Sequence, residues 1–186
     1  MNFANKISTF RILCVPFFIA SLIYYSPEKT FLRFVALGIF ILAIVSDAID
    51  GYIARKSKQQ SPAGLILDPL GDKLLLMSAF VSLYLISFPI KFPLFVILIV
   101  LSRDLIILIG AMVIFMVKQK INIIPTKWGK LTTIFQMSAV LSVLLQLGVS
   151  YVFWWIAVVF TVISGIDYIM RGFKILYVVD NNKHIH

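Results

Sequence analysis

Long apolar stretches, separated by short polar or turn-forming breaks, run through almost the whole 186-residue chain. A helix that crosses a bilayer needs about 20 mostly apolar residues, because the hydrocarbon core is about 30 Å thick. The breaks fall near 26–29, 56–62, 89–93, 118–127 and 148–151, and residues of this kind end helices. The segments between them predict six helices at about 7–25, 30–56, 63–88, 93–117, 128–147 and 152–176. The predicted fold class is an all-α integral membrane protein with six transmembrane helices.

The composition leaves little room for a soluble domain. Hydrophobic residues make up 61% of the chain, charged residues only 13%, and the mean hydropathy is +1.00, far from the balance of a soluble protein. We therefore expect a single membrane domain over 1–186. The first apolar run, 12–25, has no small-residue cleavage site and is interpreted as a retained helix. The only cysteine, Cys14, excludes an internal disulfide and a multi-cysteine metal site.

The distribution of Lys and Arg along the chain predicts its orientation in the membrane. An even number of spans puts both termini on one side, and most Lys and Arg residues lie on that side. The opposite side carries only Lys29, Arg33 and Lys91. By the positive-inside rule the termini are cytoplasmic, which predicts a multi-pass protein of the cell (cytoplasmic) membrane. Orientation and attraction to anionic lipid account for the net charge of +9, so no nucleic-acid partner is expected.

Half of the eight acidic residues lie within one short region: Asp47, Asp50, Asp68 and Asp72. The spacings of three and four put each pair on one face of a helix, and the short link between helices 2 and 3 makes them antiparallel neighbours. Four carboxylates near hydrocarbon would repel one another unless divalent cations were bound, and oxygen ligands favour Mg²⁺ or Mn²⁺ over zinc. The alternative is pairing with Arg55, Lys56 and Lys73, but intramembrane acids are usually functional.

Small residues and one arginine accompany these acids. Gly51 follows Asp50, and Gly64 precedes Asp68 by one helical turn. Glycine permits the close approach of a ligand, although helix packing is an equal alternative. The guanidinium of Arg55 can form bidentate hydrogen bonds to a phosphate group. Together, metal ligands, arginine and close approach suggest that a diphosphate binds at the cytoplasmic end of helices 2 and 3.

The full pattern resembles the signature of the CDP-alcohol phosphatidyltransferases. Its fixed residues are Asp47, Asp50, Gly51, Ala54, Arg55, Gly64, Asp68 and Asp72. The segments NKISTFRILCVPFF and TVISGIDYIMRG look like the phosphatidylglycerophosphate synthase branch of that family. The resemblance implies transfer of the phosphatidyl group from CDP-diacylglycerol to an alcohol with release of CMP. It also implies a homodimer.

The resemblance further assigns roles to the signature residues. Two cations, Mg²⁺ or Mn²⁺, are expected on Asp47, Asp50, Asp68 and Asp72. Asp72 is expected to act also as the general base toward the acceptor hydroxyl. The nucleotide of CDP-diacylglycerol is expected to lie against Gly51, Ala54, Arg55 and Gly64.

The acceptor site is expected to contain further cations, because glycerol 3-phosphate is a dianion. The candidates are Arg103, Lys130 and Arg171. Arg103 lies about 22 Å along its helix from Lys118, too deep for easy snorkelling, but its neighbour Asp104 offers an internal ion pair as the alternative. For Lys130 the alternative is interface anchoring.

Two other functions remain open. The synthase branch would have Ala-Arg-Glu where this chain has Ser102-Arg103-Asp104. The Asp form resembles the related cardiolipin synthases, which makes phosphatidylglycerol the alternative acceptor. A cation channel or transporter is a rival from another class, but the acids cluster at one membrane edge and no inverted repeat is visible.

Overall fold

The computed structural model describes the backbone at 3–57, 64–118 and 127–183, and side chains at 10–46, 48–49, 73–110, 112 and 127–172. Every regular element in these ranges is an α-helix. The six helices are α1 (Phe3–Ile23), α2 (Phe31–Ser57), α3 (Gly64–Leu85), α4 (Leu94–Lys118), α5 (Lys127–Leu144) and α6 (Ser150–Lys183). The all-helical prediction is confirmed for this part of the chain.

The helix ends lie close to their predicted positions, with α6 as the largest difference. It was expected to end near 176 and continues to Lys183. No Gly or Pro follows Gly172, so no helix-breaking residue ends α6 earlier. Helix α1 contains Pro16, and membrane helices tolerate such a proline because neighbouring groups can satisfy the freed carbonyl.

From Tyr151 to Met170 the exposed side of α6 is apolar and its buried side is partly polar. Trp155, Val159 and Ile166 are each more than half exposed, whereas Thr161 and Ser164 are buried. In water this arrangement would expose a large apolar patch, but in lipid it places the hydroxyls where they find hydrogen-bond partners. The distribution of side chains on α6 is therefore that of a helix in a membrane.

One segment in the described residues is both long and apolar enough to cross a bilayer. It is Ser150–Gly172 in α6, with a mean hydropathy of 1.9. At 1.5 Å per residue its length is about 35 Å, compared with a hydrocarbon thickness of about 30 Å. Shorter apolar helical segments are Phe10–Ile23, Phe31–Ser46 and Lys73–Leu85.

The helices form two compact units. The N-terminal unit comprises 1–93 and 140–150, and the C-terminal unit comprises 94–139 and 151–186. In the N-terminal unit α1 packs against both α2 and α3. Phe18 of α1 contacts Phe40 of α2 with ring centroids 5.8 Å apart. Helix α1 is therefore the common support for the two helices that carry the acidic signature.

A glutamine side chain joins two connecting segments of the N-terminal unit. Gln146, between α5 and α6, has a φ of 55°. Its Nε2 donates to the carbonyls of Ile90 at 2.9 Å and Val143 at 2.7 Å, and its Oε1 accepts from the Ile90 N–H at 3.0 Å. This pairing holds the α5–α6 connection against the α3–α4 connection.

Hydrogen bonds join the helices of the C-terminal unit. The side chain of Arg103 in α4 bonds to Ser164 in α6, and the hydroxyl of Tyr168 in α6 donates to the carbonyl of Ile107 in α4. Both pairs are separated by 61 residues in sequence, so α4 and α6 run parallel.

Between α5 and α6 the hydroxyl of Thr132 lies 2.9 Å from the carbonyl oxygen of Phe160. One turn further along α5, Gln136 donates to the hydroxyl of Thr161 at 3.0 Å. Thr132, Gln136 and Thr161 are all completely buried. Within a membrane, polar contacts of this kind hold helices together in place of a hydrophobic driving force.

Candidate active site

The backbone is helical at every position of the acidic signature. Asp47 and Asp50 lie in the last part of α2, and Asp68 and Asp72 lie in the first part of α3. Gly64 is the first residue of α3. This helical backbone is what the spacing argument requires for each pair of acids.

The side chains of the signature lie outside the described residues. That set comprises Asp47, Asp50, Gly51, Ala54, Arg55, Gly64, Asp68 and Asp72. The meeting of the four carboxylates, the nucleotide contacts and the role of Asp72 therefore stay predictions. The described side chains elsewhere contain no group of three or more His, Cys, Asp or Glu residues placed to hold a metal.

The donor set of the signature fits a pair of hard divalent cations. Four aspartates supply only oxygen ligands, and carboxylate oxygen is the ligand class of Mg²⁺ and Mn²⁺. The two helices each carry two acids about one turn apart, so the four carboxylates would be offered from helical positions. On the chemistry of the donors, Mg²⁺ or Mn²⁺ is the group that these residues would hold.

Arg103 is buried and bound on two sides. Its side chain is 7% exposed, and its Nη1 donates to Oδ1 of Asp104 at 2.6 Å. Its Nη2 donates to the hydroxyl of Ser164, also at 2.6 Å. The ion pair with Asp104, which the sequence offered as an alternative to phosphate binding, is therefore present. The buried Nε of Arg103 has no hydrogen-bond partner among the described residues.

The other two acceptor candidates are exposed. Arg171 pairs with Asp167 one turn earlier on α6, at 2.9 Å, and its side chain is 58% exposed. Lys130, in the first turn of α5, is exposed as well. Both cations are accessible to a small anion. All three candidates belong to the C-terminal unit.

Several buried polar residues were not singled out from the sequence, Ser164 and Arg11 among them. Ser164 binds the guanidinium of Arg103, and Arg11 in α1 is only 2% exposed. For Ser164 a signal was available, because Ser164, Asp167, Tyr168 and Arg171 recur at helical spacing in an otherwise apolar segment. Such spacing places polar residues on one side of a helix.

Comparison with known proteins identifies the family of this chain. Residues 1–163 match the family model described as CDP-alcohol phosphatidyltransferase. A probable phosphatidylglycerophosphate synthase of Mycobacterium tuberculosis is 31% identical over 93% of this chain and 82% of its own length. Two proteins named CDP-diacylglycerol–glycerol-3-phosphate 3-phosphatidyltransferase are similar at the same identity. The Aquifex aeolicus protein aligns over 95% of this chain and 99% of its own length, and the Haemophilus influenzae protein over 90% and 91%.

The family match covers far more than half of the chain and includes the whole acidic signature in α2 and α3. The relatives extend the similarity over nearly the entire length, including the C-terminal unit that carries the candidate acceptor cations. This chain therefore belongs to the CDP-alcohol phosphatidyltransferase family.

Proposed function

We propose that this protein transfers the phosphatidyl group of CDP-diacylglycerol to glycerol 3-phosphate, giving phosphatidylglycerophosphate and CMP. The observation that carries the proposal is the complete eight-residue signature in α2 and α3 of a chain that belongs to this family. The names of relatives similar over 90% or more of this chain support glycerol 3-phosphate as the acceptor. The product is an intermediate of phospholipid biosynthesis.

In the proposed reaction Asp72 accepts the proton of the acceptor hydroxyl. The hydroxyl oxygen attacks the phosphorus that carries the diacylglycerol, a new P–O bond forms, and the P–O bond to CMP breaks. The family resemblance assigns this role to Asp72, whose backbone lies in α3. Removing a positioned base of this kind slows a reaction by about 10² to 10⁴.

The other signature residues bind and orient CDP-diacylglycerol. Asp47, Asp50, Asp68 and Asp72 would hold two divalent cations, Mg²⁺ or Mn²⁺, whose charge offsets that of the diphosphate and the leaving CMP. Arg55 would contact phosphate, and Gly51, Ala54 and Gly64 would leave room for the nucleotide. The acyl chains would stay in the lipid.

The acceptor phosphate is proposed to bind Arg103, Lys130 and Arg171. Lys130 and Arg171 are exposed and provide charge that an incoming dianion can reach. Arg103 uses two of its five N–H donors on Asp104 and Ser164, and the remaining donors, Nε–H among them, are available for phosphate oxygens.

The proposed topology has all six helices crossing the membrane and both termini in the cytoplasm. The concentration of Lys and Arg on the terminal side supports it. The diphosphate would then sit at the cytoplasmic edge of the inner (cytoplasmic) membrane, where CMP can leave into water. A homodimer is proposed from the family resemblance.

The decisive experiment offers four acceptors in parallel to the purified protein with CDP-diacylglycerol and Mg²⁺. These are glycerol 3-phosphate, phosphatidylglycerol, inositol 1-phosphate and serine, and the readouts are CMP release and the identity of the lipid product. We expect phosphatidylglycerophosphate from glycerol 3-phosphate and little product from the others.

Preference for phosphatidylglycerol in this assay would make the protein a cardiolipin synthase of the same family. Asp104 was the sequence feature that raised this alternative. Asp104 is completely buried and bonded to Arg103, so its presence has an explanation within the packing of α4 and α6. Cation flux without CMP release would overturn the enzyme proposal altogether.

A further inference from the structure

Ser164 and Arg103 form a buried polar contact between α6 and α4 that the proposed chemistry leaves unexplained. Ser164 is 2% exposed and Arg103 6% exposed, and the hydrogen bond between them is short, at 2.6 Å. The two residues come from different helices, α6 and α4, in the same unit. A buried arginine in a membrane helix is costly, so its surroundings are informative about its purpose.

The guanidinium of Arg103 is fixed in orientation by two bonds from different directions. Asp104 holds Nη1 and Ser164 holds Nη2. A planar guanidinium with both terminal nitrogens bound cannot rotate freely about its last bonds. The direction of its remaining N–H donors is therefore set by Ser164 together with Asp104.

One of those remaining donors is buried and unsatisfied. The Nε of Arg103 has no hydrogen-bond partner among the described residues, although buried donors are nearly always paired. Leaving a donor of a charged group unpaired in the interior costs free energy. An anionic oxygen from a ligand would satisfy it.

The backbone of α6 lies beside the stem of this arginine. A Cβ added at Gly165 would lie 3.4 Å from Cγ of Arg103, in van der Waals contact. The dipeptide Ser164-Gly165 thus supplies a hydroxyl for the guanidinium and a side-chain-free backbone for its aliphatic stem. Neither residue belongs to the acidic signature.

We propose that Ser164 is a positioning residue for the acceptor: it holds the Arg103 guanidinium so that the free N–H donors face the phosphate of glycerol 3-phosphate. This inference rests on the proposed function, because it takes Arg103 as part of the acceptor site. Ser164 acts through Arg103 and contacts no reacting atom.

The test compares two variants that each remove one buried hydroxyl from α6. Ser164→Ala removes the bond to Arg103. The matched control is Thr161→Ala, three residues earlier on α6, which removes the bond to Gln136. Ser164→Ala should raise the KM for glycerol 3-phosphate about tenfold, with kcat and the KM for CDP-diacylglycerol within about twofold of wild type. Thr161→Ala should lower the melting temperature without this selective change in KM.

Two further measurements separate positioning from packing. Ser164→Thr keeps the hydroxyl and should restore the KM for glycerol 3-phosphate to within about threefold of wild type. In a thermal unfolding assay, saturating glycerol 3-phosphate should raise the melting temperature of wild type, and the increase at a fixed concentration should be smaller in Ser164→Ala.

The outcomes distinguish this inference from the proposed function. If wild type uses glycerol 3-phosphate but Ser164→Ala and Thr161→Ala change its KM equally, Ser164 is only a packing residue and the inference is wrong. If wild type prefers another acceptor in the parallel assay, the proposed function fails and the inference fails with it. Equal rises in both Michaelis constants for Ser164→Ala would also overturn the positioning role.

Discussion

Arg103 and Asp104 form a buried ion pair at the proposed acceptor site. Asp104 is completely buried, and its Oδ1 accepts from Nη1 of Arg103 at 2.6 Å. Taking two such charges out of water is expensive, and the mutual attraction offsets that cost only when the geometry is good. The contact to Ser164 adds a neutral partner that leaves the positive charge of Arg103 intact.

Removing only the cation of this pair should destabilise the protein strongly. Arg103→Gln takes the positive charge from beside a buried carboxylate, and we expect a loss of about 3–5 kcal/mol in the free energy of unfolding. The double variant Arg103→Gln with Asp104→Asn replaces the ion pair by two amides and should recover most of that loss. Thermal unfolding in detergent measures both.

The double variant also separates folding from acceptor binding. If Arg103 contacts the acceptor phosphate, the KM for glycerol 3-phosphate should stay raised by about tenfold or more even though stability has returned, since a hydrogen bond to a charged group contributes about 1.5–3 kcal/mol. A wild-type KM in the restored double variant would show that the arginine is purely structural.

At the scale of the helices, the close approach of Tyr168 in α6 to α4 requires a residue without a side chain at Gly110. A Cβ at Gly110 would lie 2.9 Å from Cε1 of Tyr168, whose hydroxyl bonds to the carbonyl of Ile107 at 3.1 Å. Small residues allow membrane helices to approach closely. Gly110 thus leaves room for the ring of Tyr168 at the place where its hydroxyl reaches the backbone of α4.

Gly110→Ala should therefore push the ring of Tyr168 away from α4 and destabilise the protein by about 1–3 kcal/mol. The matched control is Gly172→Ala on α6, where an added Cβ meets nothing within 4 Å. That substitution should be neutral or stabilise by up to about 1 kcal/mol, because alanine favours a helix over glycine. Thermal unfolding of the two variants compares them, and an equal effect of both would contradict the close-approach argument.

Helices α2 and α3 carry the predicted chemistry. Asp47, Asp50 and Asp68 are predicted to act only as metal ligands, whereas Asp72 is predicted to act also as the base. Asp47→Ala, Asp50→Ala and Asp68→Ala should each reduce CMP release by more than about 100-fold, since even partners of metal ligands cost 10- to 100-fold when mutated. Excess chelator should abolish activity, and added Mg²⁺ or Mn²⁺ should restore it. The exposed Glu28→Gln is the control with unchanged activity.

Asp72→Asn should abolish turnover while CDP-diacylglycerol still binds, because the amide occupies the same space but cannot accept the proton. Binding is measured directly with labelled CDP-diacylglycerol. Full CMP release in chelator would remove the metals from the mechanism, and wild-type turnover of Asp72→Asn would remove Asp72 as the base.

For the whole molecule the testable property is orientation in the membrane. In a Cys14→Ala background, a cysteine at Ser57 should react with a membrane-impermeant thiol reagent only from the cytoplasmic side. A cysteine at Glu28, which is exposed between α1 and α2, should react only from the outside. The opposite pattern would invert the topology and move the proposed active site to the other face.

The helices could be predicted from the sequence because the signals that form and end them are local. Apolar runs of sufficient length and intervening turn residues predicted all six helices, and the described ends lie within a few residues for most of them. The length of α6 was underestimated, since neither Gly nor Pro follows Gly172 to end the helix. The family could also be predicted from the sequence, since eight signature residues occupy two consecutive helices at fixed spacing.

The sequence by itself determined the helical class, the apolar character and the family, because hydropathy and residue spacing are properties of neighbouring positions. Only the tertiary structure decided which polar residues meet. Arg103 could pair with Asp104 next to it, but its bond to Ser164 and the bond of Tyr168 to Ile107 each join positions 61 residues apart. Such contacts depend on how α4 and α6 pack, and packing is set by the summed fit of many side chains that no local pattern encodes.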